Sequence, residues 1–411
     1  MKLKKLNINS YLHLKDLEFD FTYPENHEKA GQPLEKICFI GQSATGKTNL
    51  LNFIKTIIER ILNIEIDSNN DISFFDIFYI DADFEIEINK NLFTIKDKTL
   101  YIDSEKKHIS VLPKEYDLFP EKHPIYNIKS DIVSEQNIKS LDIRYEDIIE
   151  PQEFVQLNKN IDFNFNTEKK LWKSLLQDVI NFRKKQLQLT SEMLINKDNI
   201  EEFINEISNL NSQNPLIEYS NIFNPILKKL NLYIDVKNSN NLISFRNISD
   251  DNLIEIEDIS TGTRQLLLTF LILKKLVTKN SIILVDEPER SLYPDIQMEI
   301  VDFYTNISEN SQFIIATHSP FIAASFEPEE RFILYFDENG NVKVRRGSSP
   351  IGDDPNDILA NDFGINYINK YGQKAFDEYK NLKQKIYFEK NEKEKEEISK
   401  KLEELGEKYN F

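Results

Sequence analysis

The run Gly41-Gln42-Ser43-Ala44-Thr45-Gly46-Lys47-Thr48 has the residue types and order needed to hold a chain of phosphates. Its glycines let the backbone curl so that successive N–H groups and the following helix N-terminus face an anion. In that arrangement Lys47 would neutralise the outer phosphates, and the Thr48 hydroxyl would bind Mg²⁺. A second run, Ser281-Ile282-Ile283-Leu284-Val285-Asp286-Glu287-Pro288, is apolar and ends in two adjacent acids. A buried strand would deliver both carboxylates to the sheet edge that carries the phosphate loop. Asp286 would then support Mg²⁺, directly or through water, and Glu287 is the candidate base that orients an attacking water. The chemistry implied is transfer of a phosphoryl group to water.

Elements of the right kind surround these residues. Ile37-Cys38-Phe39-Ile40 reads as a short buried strand running straight into the loop. Behind the loop, Leu50, Leu51, Phe53, Ile54, Ile57, Ile58 and Ile61 recur at helical spacing. Residues 1–37 read as two short strands separated by the polar, turn-rich stretch Tyr23 to Pro33. The alternation in 84–88 and 92–95 predicts a meander of antiparallel strands. Residues 168–210 read as a two-helix hairpin that breaks near 195–199, with Leu171, Trp172, Leu175, Leu176, Val179 and Phe182 on its first stripe. A helix leading into a strand is expected over 216–236. From Ser260 onward helices (266–276, 294–305) alternate with buried strands (281–285, 312–316), the pattern of a parallel sheet covered on both faces. Strands at 332–336 and 342–344 flank Asp337-Glu338-Asn339-Gly340, a hairpin turn, and 373–409 reads as one charged helix.

Composition narrows the class. With 40% hydrophobic and 29% charged residues the 411-residue chain is a globular one with a sizeable core. The single cysteine, Cys38, lies in the apolar run and reads as a buried hydrophobe in a reducing compartment. No run approaches the ~18–20 apolar residues of a membrane span, and Met1-Lys2-Leu3-Lys4 opens no signal-peptide core. The expectation is a cytoplasmic protein with no membrane partner. A net charge of −18 weighs against a protein built mainly to grip nucleic acid, though a local basic face remains compatible with it.

Three further segments carry a family resemblance. Ile259-Ser260-Thr261-Gly262-Thr263-Arg264-Gln265 resembles the ABC signature sequence. Asp286-Glu287-Pro288-Glu289-Arg290-Ser291-Leu292-Tyr293-Pro294 resembles the Walker B segment and D-loop, and Ala316-Thr317-His318-Ser319-Pro320 resembles the switch-histidine segment. With the phosphate loop these are similar to ABC-type P-loop ATPases, which implies an α/β sandwich with a mixed sheet that binds ATP and Mg²⁺. The resemblance covers the first ~60 residues and roughly 255–325. It implies a head-to-tail dimer in which Ser260, Gly262 and Thr263 of one copy close over the nucleotide held by residues 41–48 of the other. It also implies that His318 hydrogen-bonds the γ-phosphate and the attacking water, making Lys47, Glu287 and His318 the catalytic set. The family's glutamine loop has no clear counterpart; Gln136 is one candidate. The run Ser-Thr-Gly-Thr at 260–263, where transporters carry a second glycine, Tyr293 in place of a histidine, and Ala44-Thr45 in the loop point to slow, regulated hydrolysis.

The long interval between Thr48 and Ser260 exceeds that of a transporter domain and falls short of SMC-type arms. The style of the motifs resembles the RecF and OLD-like branch, which includes stand-alone ATPases of anti-phage systems of the Septu, PARIS and retron-associated types. The expected organisation is a first ATPase segment (1–72), an inserted strand and helical-arm region (73–250), a second ATPase segment (251–345) and a helical tail (346–411). After Pro320 no metal-binding acid cluster of a Toprim nuclease stands out, and Asp353-Asp354 read as solvated loop residues. The resemblance therefore implies an ATP-driven sensor or clamp that controls a separate effector protein, a nuclease, in anti-phage defence. The rival expectation is a RecF-like DNA-repair ATPase. Its basic surface would comprise Lys169, Lys170, Lys173, Arg183, Lys184 and Lys185, with Lys343, Arg345 and Arg346.

Overall fold

The computed structural model describes residues 1–62, 81–88, 91–96, 99–102, 105–106, 125–128, 161–163, 165–195, 200–238, 241–255, 258–275, 280–308, 310–365 and 372–409. It divides into two units, Met1–Gly352 and Asp353–Phe411.

The first unit begins with β1 (Lys2–Tyr11) and β2 (Leu14–Asp20), an antiparallel hairpin. The turn between them is Leu12-His13, with Leu12 at φ 54. The polar stretch 23–33 therefore follows both strands instead of separating them. β4 (Ala82–Ile88), β5 (Asn91–Lys96), β6 (Thr99–Ile102) and β7 (Glu105–Lys106) form the expected meander. β4 pairs with β1, so the meander and the hairpin make one sheet in the order β2-β1-β4-β5-β6-β7.

The central sheet contains β3 (Lys36–Gly41), β8 (Ile125–Ile128), β9 (Ile161–Phe163), β13 (Ile282–Asp286), β14 (Gln312–Ala316), β15 (Arg331–Phe336) and β16 (Val342–Arg346). Their order is β16-β15-β3-β14-β13-β8-β9. Every pairing is parallel except β15 with β16, which is the hairpin expected from the Asp337–Gly340 turn. β10 (Leu232–Ile234), β11 (Phe245–Asn247) and β12 (Leu253–Ile254) form a small third sheet. This is a mixed-sheet α/β fold.

Alternation along the strands decides which core each side chain enters. Ile282 and Leu284 of β13, with Ile314 of β14, join Phe19, Phe39, Phe84 and Ile86 beneath the first sheet. Helix α1 (Lys47–Leu62) seals that core with Leu50, Leu51, Phe53, Ile54, Ile57 and Ile58. On the opposite face Phe313 meets Tyr304, which packs on Phe270 of the helix Thr261–Lys275. The expected helix over 294–305 is broken into Pro294–Gln297 and Ile300–Ile307.

The long helix Phe165–Ile195 and the helix Ile200–Ser212 correspond to the predicted hairpin. Leu176 and Val179 on its stripe are buried. The side chains of Leu171, Trp172 and Leu175 lie outside the described residues. Cys38 is buried, as expected. In the second unit the predicted single tail helix is two, Gln373–Phe388 and Glu392–Tyr409, joined by an ion pair between Lys401 and Glu378 at 2.5 Å. Asp354 caps the helix Pro355–Asn361 by accepting the Asn356 N–H. Among the described residues no helix is long and apolar enough to cross a membrane.

Phe39 sits at the centre of this packing, with its ring centroid 5.8 Å from Phe19 and 6.0 Å from Phe332. Phe39→Ala is expected to destabilise the first unit by about 3–5 kcal/mol, because the surrounding rings cannot close the cavity. Urea denaturation followed by circular dichroism measures this.

Candidate nucleotide site

Strand order brings the three chemical segments to one place. β14 lies between β3 and β13, and all three run parallel. Their C-terminal ends therefore deliver the loop 41–48, the turn at His318 and the pair Asp286-Glu287 side by side.

The loop is built for close approach. Gly41 has φ 152, and a Cβ there would lie 2.1 Å from the Leu334 carbonyl of the neighbouring strand. Gly46 has φ 90, and a Cβ there would lie 2.5 Å from His13 Nε2. Ala44 takes the left-handed conformation at φ 67, and Thr45 closes the bend by donating its hydroxyl to the Gln42 carbonyl at 2.8 Å. Gln42, Ser43 and Ala44 are exposed, while Thr45 is buried beneath them.

Lys47 folds back over the loop, donating to the carbonyls of Gly41 at 2.9 Å and Gln42 at 3.1 Å. Burial pushes its ammonium down to about 8, against the opposing pull of Glu287, Asp286 and Glu289. The Thr48 hydroxyl donates to Asp286 Oδ2 at 2.9 Å. A hydroxyl and a carboxylate held together at the mouth of a phosphate loop are hard oxygen donors, the set that suits Mg²⁺. The glycine-lined cradle beside them fits phosphate oxygens.

Glu287 holds a left-handed backbone, φ 47, with its N–H donated to the Ala316 carbonyl at 2.8 Å. Such strain at a non-glycine residue aims a side chain where ordinary extended backbone would not. Its carboxylate lies 3.9 Å from His318 Nε2, and both side chains are 39% exposed. Burial and the nearby Lys47 charge hold the His318 imidazole below its usual range, with Glu287 opposing, so the ring is neutral near pH 7.

The signature-like segment forms a separate cluster. Ser260 precedes the helix Thr261–Lys275; its hydroxyl bonds that of Thr263 at 2.8 Å and accepts the Thr263 N–H at 3.3 Å. Ser260 is exposed, while Gly262 and Thr263 are buried. A Cβ on Gly262 would lie 2.1 Å from the Ser291 carbonyl, so this helix packs directly on the segment after β13. Gln136 lies outside the described residues.

The sequence profile described as an AAA ATPase domain matches residues 1–323. The chain belongs to the AAA ATPase domain family. It is 24% identical over 417 residues to the Retron Vc95 probable ATPase of Vibrio cholerae serotype O1 biovar El Tor, covering 87% of this chain and 79% of that protein. Among solved structures, the SMC head domain from Thermotoga maritima overlaps 85% of this chain and all 100% of its own, at 12% identity and a TM-score of 0.41. The Pyrococcus furiosus Smc head domain bound to the C-terminal domain of ScpA overlaps 84% of this chain and 96% of its own, at 13% identity and a TM-score of 0.38.

For this family member, sequence reasoning passed over His13, Glu289 and Gln297. Glu289 lies inside the acidic motif, and its Oε1 accepts the His318 N–H at 2.6 Å. Burial raises the Glu289 carboxyl, with that hydrogen bond opposing. His13 carries no local signal, because its turn is led by a leucine.

The Lys47 environment predicts proton linkage. Only the protonated ammonium attracts a polyphosphate, so binding raises the Lys47 pKa. With that group starting at about 8, ATP binding at pH 8 should take up roughly half a proton at this residue. Uptake should shrink as pH falls below that value. Calorimetric titration in buffers of different ionisation heat checks this. Lys47→Arg, permanently charged, should lose that component.

Proposed function

We propose that the chain binds ATP with Mg²⁺ and hydrolyses it slowly and under regulation. The observation that carries this is the pairing of Thr48 with Asp286, next to Glu287 and His318, at one sheet edge. In this reading the loop residues Gly41, Gln42, Ser43, Ala44, Thr45 and Gly46 cradle the phosphates, and Lys47 leaves its two carbonyls to meet them. Thr48 and Asp286 hold Mg²⁺, which supplies charge neutralisation when bound. Glu287 accepts a proton from water, and neutral His318 orders that water against the terminal phosphate. Two copies associate head to tail, so that Ser260, Gly262 and Thr263 of one approach the nucleotide of the other. Tyr293, 74% exposed beside Ser291, supports a contact surface on that side.

The cellular role we infer is a cytoplasmic sensor or clamp that controls a separate effector, a nuclease, in anti-phage defence. The match to a retron-associated ATPase over most of both chains supports it. The alternative of direct action on DNA loses support from two of its basic residues. Arg183 donates to the carbonyls of Asn238 and Asn241, and Arg346 to those of Glu329, Asp20 and Thr22. Guanidinium groups already engaged in this way are poorly placed to grip phosphates.

Glu287→Gln should lower ATP turnover by about 100-fold while leaving ATP binding intact, the signature of a lost general base. It should also accumulate an ATP-dependent dimer, measured by light scattering. Turnover equal to wild type would remove Glu287 from the reaction. Affinity capture of the same variant with ATP should recover a nuclease that survives nuclease treatment of the lysate. Recovery only of DNA and repair proteins, lost on that treatment, would favour the alternative.

A further inference from the structure

His318 projects from a short turn between β14 and the helix Pro320–Ala323. Side chains from the segment after β13 hold that turn at both ends. Glu289 Oε1 accepts the N–H of His318 at 2.6 Å. At the far end, the Ser319 hydroxyl donates to Gln297 Oε1 at 2.6 Å, and Ser319 Oγ itself caps the helix by accepting the N–H groups of Phe321 and Ile322. The other half of the Gln297 amide is also engaged, since Nε2 donates to the Leu292 carbonyl at 2.8 Å. Leu292 follows Ser291, the residue whose carbonyl rests against Gly262. A continuous chain of contacts thus runs from the helix Thr261–Lys275, through Ser291-Leu292 and Gln297, to the turn that carries His318.

Glutamine is the side chain this link requires. It must donate to a carbonyl and accept from a hydroxyl from one rigid plane; a carboxylate lacks the donor and an ammonium lacks the acceptor. Ser291 sits at φ 61, a left-handed conformation that costs a non-glycine residue energy.

We propose that Gln297 is a positioning residue for hydrolysis, which couples the Ser291-Leu292 segment to the His318 turn so that displacing that segment moves His318 relative to Glu287. Glu289 anchors the opposite end of the turn and makes it swing as a unit. The approach of a second copy against Ser291-Leu292 and Tyr293 is the event that would displace it. This inference rests on the reading of Glu287 and His318 as the hydrolytic pair.

The test is a double-mutant cycle on the full chain, reading kcat, KM for ATP, equilibrium binding of a fluorescent ATP analogue and melting temperature. Gln297→Leu should lower kcat about 10-fold or more, with nucleotide affinity within about 3-fold of wild type. Gln297→Glu keeps the acceptor for Ser319 but loses the donor to Leu292, and should fall between the two. Adding Gln297→Leu to His318→Ala should cost less than about 3-fold beyond His318→Ala alone, because the two act through one turn. A full, independent loss in that background would overturn the coupling, as would wild-type kcat in Gln297→Leu. Should Gln297→Leu fail to fold by its melting curve, the same cycle with Gln297→Glu decides, and additivity there overturns the coupling equally. Wild-type turnover in His318→Ala would overturn the hydrolytic reading itself, and the coupling with it.

Discussion

The parallel placement of β14 between β3 and β13 is the constraint on which the site depends. If β3 and β13 were neighbours, the phosphate loop would face the acidic pair directly and leave no room for a third group. One intervening strand, at the ~4.8 Å spacing of a sheet, opens a gap on each side of β14. His318 lies in that gap, close enough to Glu287 for their side chains to approach within 3.9 Å. Thr48, the second residue of α1, still reaches Asp286 across it. The buried apolar faces of β13 and β14 fix this order. Ile282 and Leu284 feed one core while Phe313 feeds the other, so a register slip would turn each inside out.

Three of the non-glycine residues with left-handed backbone lie at the proposed site, while others, Leu12 and Asn231 among them, lie in turns elsewhere. Ala44, Glu287 and Ser291 all take left-handed backbone without being glycine, each costing on the order of 1–3 kcal/mol. The surrounding hydrogen bonds hold them there. Glu287 donates its N–H to Ala316 of the adjacent strand, and its own carbonyl accepts the N–H of Arg290. The core beneath does not strain in this way; it is packed from Phe19, Phe21, Phe39 and Phe332 in tilted and edge-on pairs. A well-packed base therefore supports a rim whose left-handed residues are held by hydrogen bonds.

What was legible in the sequence was whatever is local. The loop 41–48, the acids 286–287 and the Thr-His-Ser turn each declare themselves within a few residues, and the strands before them are short, apolar and bounded. Tertiary bonding is not local. Leu12 carries the φ 54 turn between β1 and β2 without the asparagine or glycine that would announce it, so the polar stretch 23–33 looked like the connection instead. The tail breaks at Glu389, which accepts the N–H groups of Lys390 and Asn391, and neither proline nor glycine marks the place. Gln297 looks like a polar residue in a short helix until its two partners, Leu292 and Ser319, are seen together.

Lys47 links these points to a direction of change. Its ammonium donates to the carbonyls of Gly41 and Gln42, in the loop that it is expected to serve. Burial lowers the pKa of that ammonium to about 8, while Glu287, Asp286 and Glu289 oppose the shift. A polyphosphate entering the cradle would offer a stronger partner and draw the lysine outward. The acids it leaves would then feel less positive charge. The contacts from Gly262 to Ser319 transmit by packing and hydrogen bonds whatever happens on the other side. The proposed coupling ends at His318, so its short turn is where the approach of a second copy would be felt.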